Sequence, residues 1–564
     1  MKSLKYNKLF CSLMLAVSLF GLYACSNEDT LGKDIPYAGF SMSALSVQTE
    51  DTVTFSNTTS GGNGFYTYAW NFGDGEFSTE ANPIHSYAEK GIYTITLQVT
   101  DGNGKVNSYS KNIEVLQKVK KIGDLNLRWI ASGYVGRVQS NTPALSRDGK
   151  SLYMTSNDQI LHCYDATTGM ETWSFDMVAN SGDTAPSGGS YCTPSVDTDG
   201  TIYVTAGWRN NGKLFAVNPD GTKKWVTGSD ANTGFWNKGL ASNPGMRYGT
   251  PVFDDQRVYC GNGGATGSMV AFDKKTGNRV TYLTNAAGTA GPAGGITQGP
   301  YISADGMMYM IGTIYGMFGV RESLLNSDNI YTPFAWKKLN GADLKPYGNK
   351  VAGPCYASMA IDEDGNGIVM IYSGKLVPYV MCIDPNGKVK WGTEISNTGK
   401  QDQGGMVIGV DGTIYASLKT TGEVPGGIVA LDKKGNIKWR FEVSEGVSGS
   451  PAIDANGDIL FGTESGVFYV ISSDGQKVLS MVDIAGLIML NKSATSSAWT
   501  PSRGKFWSSP IIGSDGTIYI GLTNIKGDSK SQVVALKSKY VTGPANSLWP
   551  MKGRDAQHTS RAVK

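Results

Sequence analysis

The sequence predicts an all-β chain, an Ig-like β-sandwich followed by an eight-bladed β-propeller. Composition is the first reason. The 564 residues include 73 Gly and 28 Tyr with only 17% charged residues, a mix that suits short strands and tight turns rather than helices or disorder. The second is the alternation of apolar and polar residues between turn residues over 36–117, as in Thr52-Val53-Thr54-Phe55 and Tyr93-Thr94-Ile95-Thr96-Leu97-Gln98-Val99. The third is a unit of four short strands that recurs from residue 120 to 564. A chain of this length is too long for one ordinary core, so at least two domains are expected.

The N-terminus reads as an export signal. Lys2, Lys5 and Lys8 precede an apolar run from Leu9 to Leu22 that is short for a membrane span. It ends Leu22-Tyr23-Ala24-Cys25, which resembles the lipobox of bacterial lipoproteins, although Tyr23 is bulkier than that motif usually carries. The resemblance implies a signal peptide over 1–24, cleavage before Cys25, acylation of its thiol and new amine, and a tether over 25–35. Several acyl chains give durable anchoring, since each buried methylene contributes about 0.8 kcal/mol. The alternative is an ordinary signal peptide with an incidental cysteine. Ser26-Asn27-Glu28-Asp29 resembles the acidic tag that sends lipoproteins of Bacteroides-like bacteria to the outer face of the outer membrane, so the expected location is the outer membrane, facing the exterior.

The formal charge of +2 falls by three to −1 once the leader's lysines are removed. A near-neutral chain gives no reason to expect nucleic acid as a partner. Beyond Cys11 and Cys25 stand Cys163, Cys192, Cys260, Cys355 and Cys382, an odd number at irregular spacing and so not a disulfide framework. With no CxxC pair and only His85, His162 and His558, no Cys/His metal site is expected. Buried small apolar side chains are the preferred reading of the thiols.

The sandwich occupies residues 36–117. Its motifs, Tyr68-Ala69-Trp70-Asn71-Phe72-Gly73-Asp74-Gly75, His85-Ser86-Tyr87, Gly91-Ile92-Tyr93-Thr94 and Val99-Thr100-Asp101, closely resemble the PKD family. Trp70 and Phe72 should point into the core, and Asp74-Gly75 should turn a hairpin. The acids invite a calcium reading, but turn and corner residues explain them better. In the family such domains commonly act as spacers or interaction modules.

The repeat over 120–564 runs as Pro, an apolar strand, an Asp-Gly turn, an apolar-Tyr-apolar strand, a further apolar strand, a Gly turn and often Trp. Its turn positions are Asp148, Asp199, Asp255, Asp305, Asp364, Asp411, Asn456 and Asp515, eight units at a mean spacing of about 52 residues. Four strands in such a length make one propeller blade, and each blade needs its neighbour to exclude water. The outer-strand Trp recurs as Trp173, Trp225, Trp391 and Trp439, with Trp336 a looser match; Thr281 and Val478 replace it elsewhere. Leu125–Trp129 could supply the last outer strand and close the ring, with Trp549 as the rival. The units and the tail Ser547–Thr559 resemble PQQ-like propeller repeats, seen in quinoprotein dehydrogenases and in cofactor-free lipoprotein scaffolds.

A quinoprotein dehydrogenase would need an adjacent cysteine pair, a calcium site and a catalytic aspartate. No Cys-Cys pair occurs, and the alignable aspartates sit at repeat turns. No histidine lies beside a nucleophile elbow. Asp362-Glu363-Asp364-Gly365-Asn366-Gly367 resembles the start of an EF-hand loop, but Ser373 stands where its closing Glu belongs and the segment coincides with a repeat turn. The expectation is therefore a non-catalytic protein with no cofactor, no metal and no catalytic residue, although paired carboxylates from distant loops stay open.

One series rises above the repetition. Three residues before each inner strand stand Ser140, Tyr191, Tyr248, Thr297, Tyr356, Gln403, Ser448 and Trp507. In a propeller these positions ring one mouth of the channel. Tyr191, Tyr248, Tyr356, Gln403 and Trp507 are thus the candidate ligand-binding residues, suited to stacking on sugar rings with hydroxyls around them. Plugging of the channel is the competing role. Trp208, Trp236 and Trp499 fall in polar insertions outside the repeat register. The leading expectation is glycan binding at the cell surface with the PKD domain as spacer. The alternatives are a protein-interaction scaffold in an envelope complex, and a carbohydrate-active enzyme or degenerate quinoprotein.

Overall fold

The computed structural model describes residues 35–116, 118, 121–132, 135–138, 141–182, 185–186, 188–207, 212–227, 250–261, 269–283, 296–312, 316–321, 358–372, 377–396, 404–420, 424–490, 505–523 and 531–562. The chain divides into two compact units, one ending at Lys118 and one beginning at Val119.

In the first unit a five-stranded sheet faces a three-stranded one. The long strands Gly91–Asp101 and Val106–Leu116 pair antiparallel, and Glu114 to Leu116 pair in parallel with Ser46 to Gln48. The alternation in Thr52–Asn57 and Gly91–Asp101 sends Val53, Phe55, Ile95, Leu97 and Val99 inward, where all are 1% exposed or less. Trp70 and Phe72 lie in the same core. Trp70 Nε1 donates to the Glu80 carbonyl at 2.8 Å, and the buried Tyr87 hydroxyl donates to the Phe72 carbonyl at 3.1 Å. Buried aromatics with polar tips are thus satisfied by backbone. Asp74 turns the hairpin, its carboxylate taking the Glu76 amide at 3.1 Å, and its other oxygen lies 2.7 Å from His85 Nε2.

The second unit is a succession of eight antiparallel sheets among the described residues. The first runs Ala144–Leu145, Ser151–Thr155, Ile160–Asp165 and Glu171–Asp176; the second runs Ser195–Val196, Ile202–Ala206, Lys213–Val217 and Lys223–Val226. The others follow over 252–283, 296–321, 360–394, 406–443, 452–483 and 511–537. In the last, Asn126–Ile130 pairs antiparallel with Ser531–Lys537, so the outer strand of the final sheet comes from the start of the unit. The rival candidate, Trp549, is fully buried in the tail instead.

Neighbouring sheets lock through one repeated contact. The Trp129, Trp173, Trp225, Trp391 and Trp439 rings each lie on a glycine of the following sheet, Gly169, Gly221, Gly277, Gly435 and Gly475 in turn. The first four also donate their indole N–H to a backbone carbonyl of that same turn, at 3.0–3.1 Å. The repeated aspartates serve turns. Asp199, Asp411 and Asp515 each accept the amide two residues on at 2.9 Å, and Lys224, Lys438 and Arg128 from the outer strand of the same sheet reach them. Burial tends to raise Asp199's pKa, but the Thr201 amide and Lys224 overcome it and hold it at about 2. The segment resembling an EF-hand start is such a turn: Asp362 accepts the amides of Asp364 and Asn366 at 3.0 and 2.8 Å.

After the last sheet the tail runs along the inner strands. Leu145, Val196, Ile302, Ile408 and Ile453 donate their amides to the carbonyls of Ala556, Gln557, Ser560, Trp549 and Pro550, at 2.8–2.9 Å. Those five residues close the inner strands beside the first-to-second strand turns. The tail therefore occupies that end of the unit.

Candidate functional site

Strand direction fixes what stands at the opposite end. In an antiparallel meander, the connector entering an inner strand and the hairpin joining the second and third strands share one end of the sheet. Arg137 lies on the connector into the first sheet, Ser448 on that into the seventh, and Lys505 and Trp507 on that into the eighth. Lys419 and Glu464 follow the second strands of the sixth and seventh sheets.

These residues form one cluster. Arg137 Cζ stands 5.1 Å and Lys505 Nζ 5.5 Å from the centroid of the Trp507 ring, within range of cation–π attraction. Lys505 Nζ is also 3.5 Å from Glu464, and Lys419 Nζ is 3.6 Å from its other oxygen. The Ser448 hydroxyl donates to Glu464. Trp507 is half-buried, and its indole N–H is enclosed without a hydrogen-bond partner among the described residues.

The scaffold holds this cluster by backbone. Thr523, at the end of the second strand of the last sheet, exchanges 2.6 and 2.8 Å hydrogen bonds with Lys505, while its hydroxyl donates to the Val138 carbonyl. The Arg137 amide donates to Asn157 Oδ1 at 2.6 Å and that of Gly136 to Asp158 Oδ2 at 2.8 Å. Phe506 is fully buried and meets Phe468 edge-on at 6.0 Å. Anchoring Phe506 inside leaves Trp507, the next residue, at the rim. Beside the cluster, His162 Nδ1 is 2.8 Å from Glu171 and Nε2 is 3.6 Å from Asp158. Burial tends to lower the His162 pKa, but the two carboxylates raise it overall.

Of the sequence candidates, Trp507 sits in this cluster. Tyr191, on the connector into the second sheet, is 5% exposed and offers a ligand little surface. Tyr248, Tyr356, Gln403 and the lipidation candidate Cys25 lie outside the described residues, as do Trp208, Trp236 and Trp499. Ser448, from the same ring series, is 1% exposed and turned to Glu464. The repeat series does not contain Arg137, Lys419, Glu464 or Lys505. The available signal was charge next to it, since Arg137 precedes Ser140 by three residues and Lys505 precedes Trp507 by two.

The tail end differs. A cavity of about 320 Å³ there is lined by Arg147, Asp197, Phe253, Lys274, Arg554 and Asp555, among others. Its cations are engaged internally: Lys274 with Asp197 at 2.7 Å, Arg554 with Asp555 at 2.9 Å, and Arg147 with the carbonyls of Val196 and Asp197.

A run of three- to five-stranded antiparallel sheets among the described residues, the last completed by Asn126–Ile130, preceded in the chain by an Ig-like sandwich, defines a PQQ-like β-propeller protein carrying a PKD domain. The profile described as PKD domain matches residues 35–116. The profile described as outer membrane protein assembly factor BamB matches residues 126–312 and 378–539, more than half of the chain, and the chain belongs to that family. Among characterised relatives, collagenase ColA of Bacillus cereus is 42% identical over 83 residues, 14% of this chain. The pre-pro-metalloprotease PrtV of Vibrio cholerae is 39% identical over 82 residues, also 14% of this chain. The chain spans only 8% of the length of each of these two. Among solved structures, the quinohemoprotein alcohol dehydrogenase of Comamonas testosteroni aligns with a TM-score of 0.50 and 15% identity, over 77% of this chain and 79% of that one. At that identity the likeness is one of fold. The described cysteines Cys163, Cys192, Cys260 and Cys382 are buried free thiols that stand singly, so they do not fit a quinone cofactor held over an adjacent pair.

Proposed function

We propose that this chain is a lipid-anchored protein of the outer membrane, displayed to the exterior, whose eight-bladed propeller binds a glycan without catalysing a reaction, the PKD domain serving as spacer. The observation that carries this reading is Trp507. It is a half-buried aromatic on a connector at one mouth of the propeller, held between pinned loops, while the tail covers the opposite end. Aromatic platforms of this kind suit the apolar faces of sugar rings. The turn role of the repeated aspartates supports the non-catalytic part, since their carboxylates are engaged by amides and lysines of their own sheets. Anchorage rests on the lipobox-like sequence ending in Cys25. The test is a glycan array probed with the purified full-length protein in detergent. Retention on defined glycans, weakened by Trp507→Ala, is expected; an array without a single retained glycan overturns the reading.

The family match favours a second reading, a protein-interaction scaffold in an outer-membrane complex. Cross-linking in intact cells separates the two. A stoichiometric envelope partner that survives removal of cell-surface glycans would favour the scaffold.

A further inference from the structure

The charges around Trp507 say more about the ligand than the ring alone. Several other cations of the propeller are engaged by oxygens of the fold: Lys224 by Asp199, Lys438 by Asp411, Arg128 by Asp515, Lys274 by Asp197, and Arg147 by the carbonyls of Val196 and Asp197. Arg137 differs. It is half-buried, its guanidinium lies over the Trp507 ring, and among the described residues no carboxylate pairs with it. Contact with a ring face uses none of its five N–H donors. Beside it, Lys419 and Lys505 share the single carboxylate of Glu464, which already accepts from Ser448. Asp158 is the next acid, and it is occupied by the Gly136 and Ile160 amides, by Ser156 and by His162. Among the described residues, Arg137 and Lys505 thus bring two positive charges to the Trp507 ring beside the one shared carboxylate of Glu464, on loops fixed by hydrogen bonds to Thr523 and Asn157.

A neutral sugar stacked on Trp507 would bring no counter-charge to the two cations at that ring. An acidic one uses the same arrangement directly. A planar guanidinium takes a carboxylate or sulfate with two parallel hydrogen bonds, and a low-dielectric rim strengthens them. We propose that the ligand of this mouth is an anionic glycan, a uronic-acid or sulfated polysaccharide, whose acid group is held by Arg137 and Lys505 with its ring against Trp507. This rests on the glycan-binding reading and adds the class of sugar.

Affinity electrophoresis of the full-length protein tests it, in gels containing polygalacturonate, chondroitin sulfate, dextran or laminarin, at low and high salt. Retardation by one or both acidic polymers is expected. High salt should weaken it, and Arg137→Ala should reduce it by at least about tenfold, with Arg137→Lys intermediate because the charge stays and the fork is lost. Lys150→Ala, a strongly exposed lysine beside a turn at the tail end, controls for general attraction to polyanions and should change nothing. Equal melting temperatures of the variants exclude misfolding. Retardation by dextran or laminarin alone, indifferent to salt and to Arg137→Ala, overturns the anionic assignment and leaves glycan binding standing. Retardation by the acidic polymers that Lys150→Ala reduces as much as Arg137→Ala places the attraction elsewhere and also overturns it. Migration unchanged in every gel overturns the glycan reading itself.

Discussion

The Trp173 indole lies across Gly221 of the following sheet, donating its Nε1–H to the Pro219 carbonyl at 3.1 Å. A Cβ on Gly221 would come within 2.7 Å of Trp173 Cδ2, and the residue has φ +86°. Gly221→Ala therefore meets two costs, a left-handed backbone and an overfilled joint between sheets. It should destabilise by about 2–4 kcal/mol in urea denaturation. Gly149 has φ +72° with open space around its missing Cβ, so Gly149→Ala isolates the backbone cost and should lose only about 1 kcal/mol. Equal losses would show that the indole contact is not tight.

The same joint closes the unit. Trp129, on the strand donated to the last sheet, docks on Gly169 of the first sheet and donates to the Ala166 carbonyl at 3.0 Å. It is 8% exposed, so Trp129→Ala should cost about 3–5 kcal/mol, the range for a buried tryptophan. A midpoint of denaturation unmoved by this change would mean that closure does not depend on this contact.

How much of this could be read in the sequence follows from repetition. Trp173, Trp225, Trp391 and Trp439, the Asp-Gly turns and the paired apolar strands recur, and recurrence marks them. Even the exception Val478 has a physical reason. The last sheet takes its outer strand from residues 126–130, so it has no third-to-fourth strand turn and no glycine on which a tryptophan of the seventh sheet could dock. The tail's course was not legible, because it pairs with five different sheets through backbone amides that any residue supplies. Nor were Arg137 and Lys505. They act from connectors whose sequences do not repeat, and their partnership with Trp507 exists only once the first and last sheets meet.

The tail also carries a pH response. His558 is fully buried, with Nδ1 2.9 Å from the Lys552 carbonyl and Nε2 2.8 Å from that of Pro143. Burial, reinforced by the charge of Lys552, outweighs these carbonyls and lowers the His558 pKa from 6.5 to about 4. The unfolded chain thus takes up a proton that the folded chain resists. Stability contributed by neutral His558 is complete above pH 6.5 and declines as pH falls towards 4. His558→Gln should flatten that part of the stability profile. Lys552, lowered by burial to about 8, acts only in the window from there to 10.5 and does not confuse the comparison. An acid slope identical in the variant would assign it to other groups.

Anchorage is tested at Cys25. Cys25→Ala removes the acceptor thiol, so palmitate labelling should vanish, and the protein should leave the membrane fraction or accumulate as unprocessed precursor. Labelling at the original level would end the lipoprotein reading.

The adjacent residues Phe506 and Trp507 should separate stability from binding. Phe506 is fully buried, and a Cβ on Gly462 would touch its ring at 2.5 Å. Phe506→Ala opens a cavity between the seventh and eighth sheets and should cost about 3–5 kcal/mol of stability. Trp507 is half-buried at the rim, and the cationic ends of Arg137 and Lys505 stand near its ring. Cation–π contacts at partly exposed sites contribute about 0.5–1 kcal/mol each, so Trp507→Ala should lower the melting temperature only slightly. The same change removes the platform for a sugar ring and should weaken glycan binding by about 1–3 kcal/mol. Were Trp507 only filler for the channel mouth, its loss would open a cavity and lower stability as Phe506→Ala does. Melting temperature and affinity measured on the two variants together decide between these roles: a large drop in melting temperature for Trp507→Ala with unaltered affinity would remove this residue from the binding site.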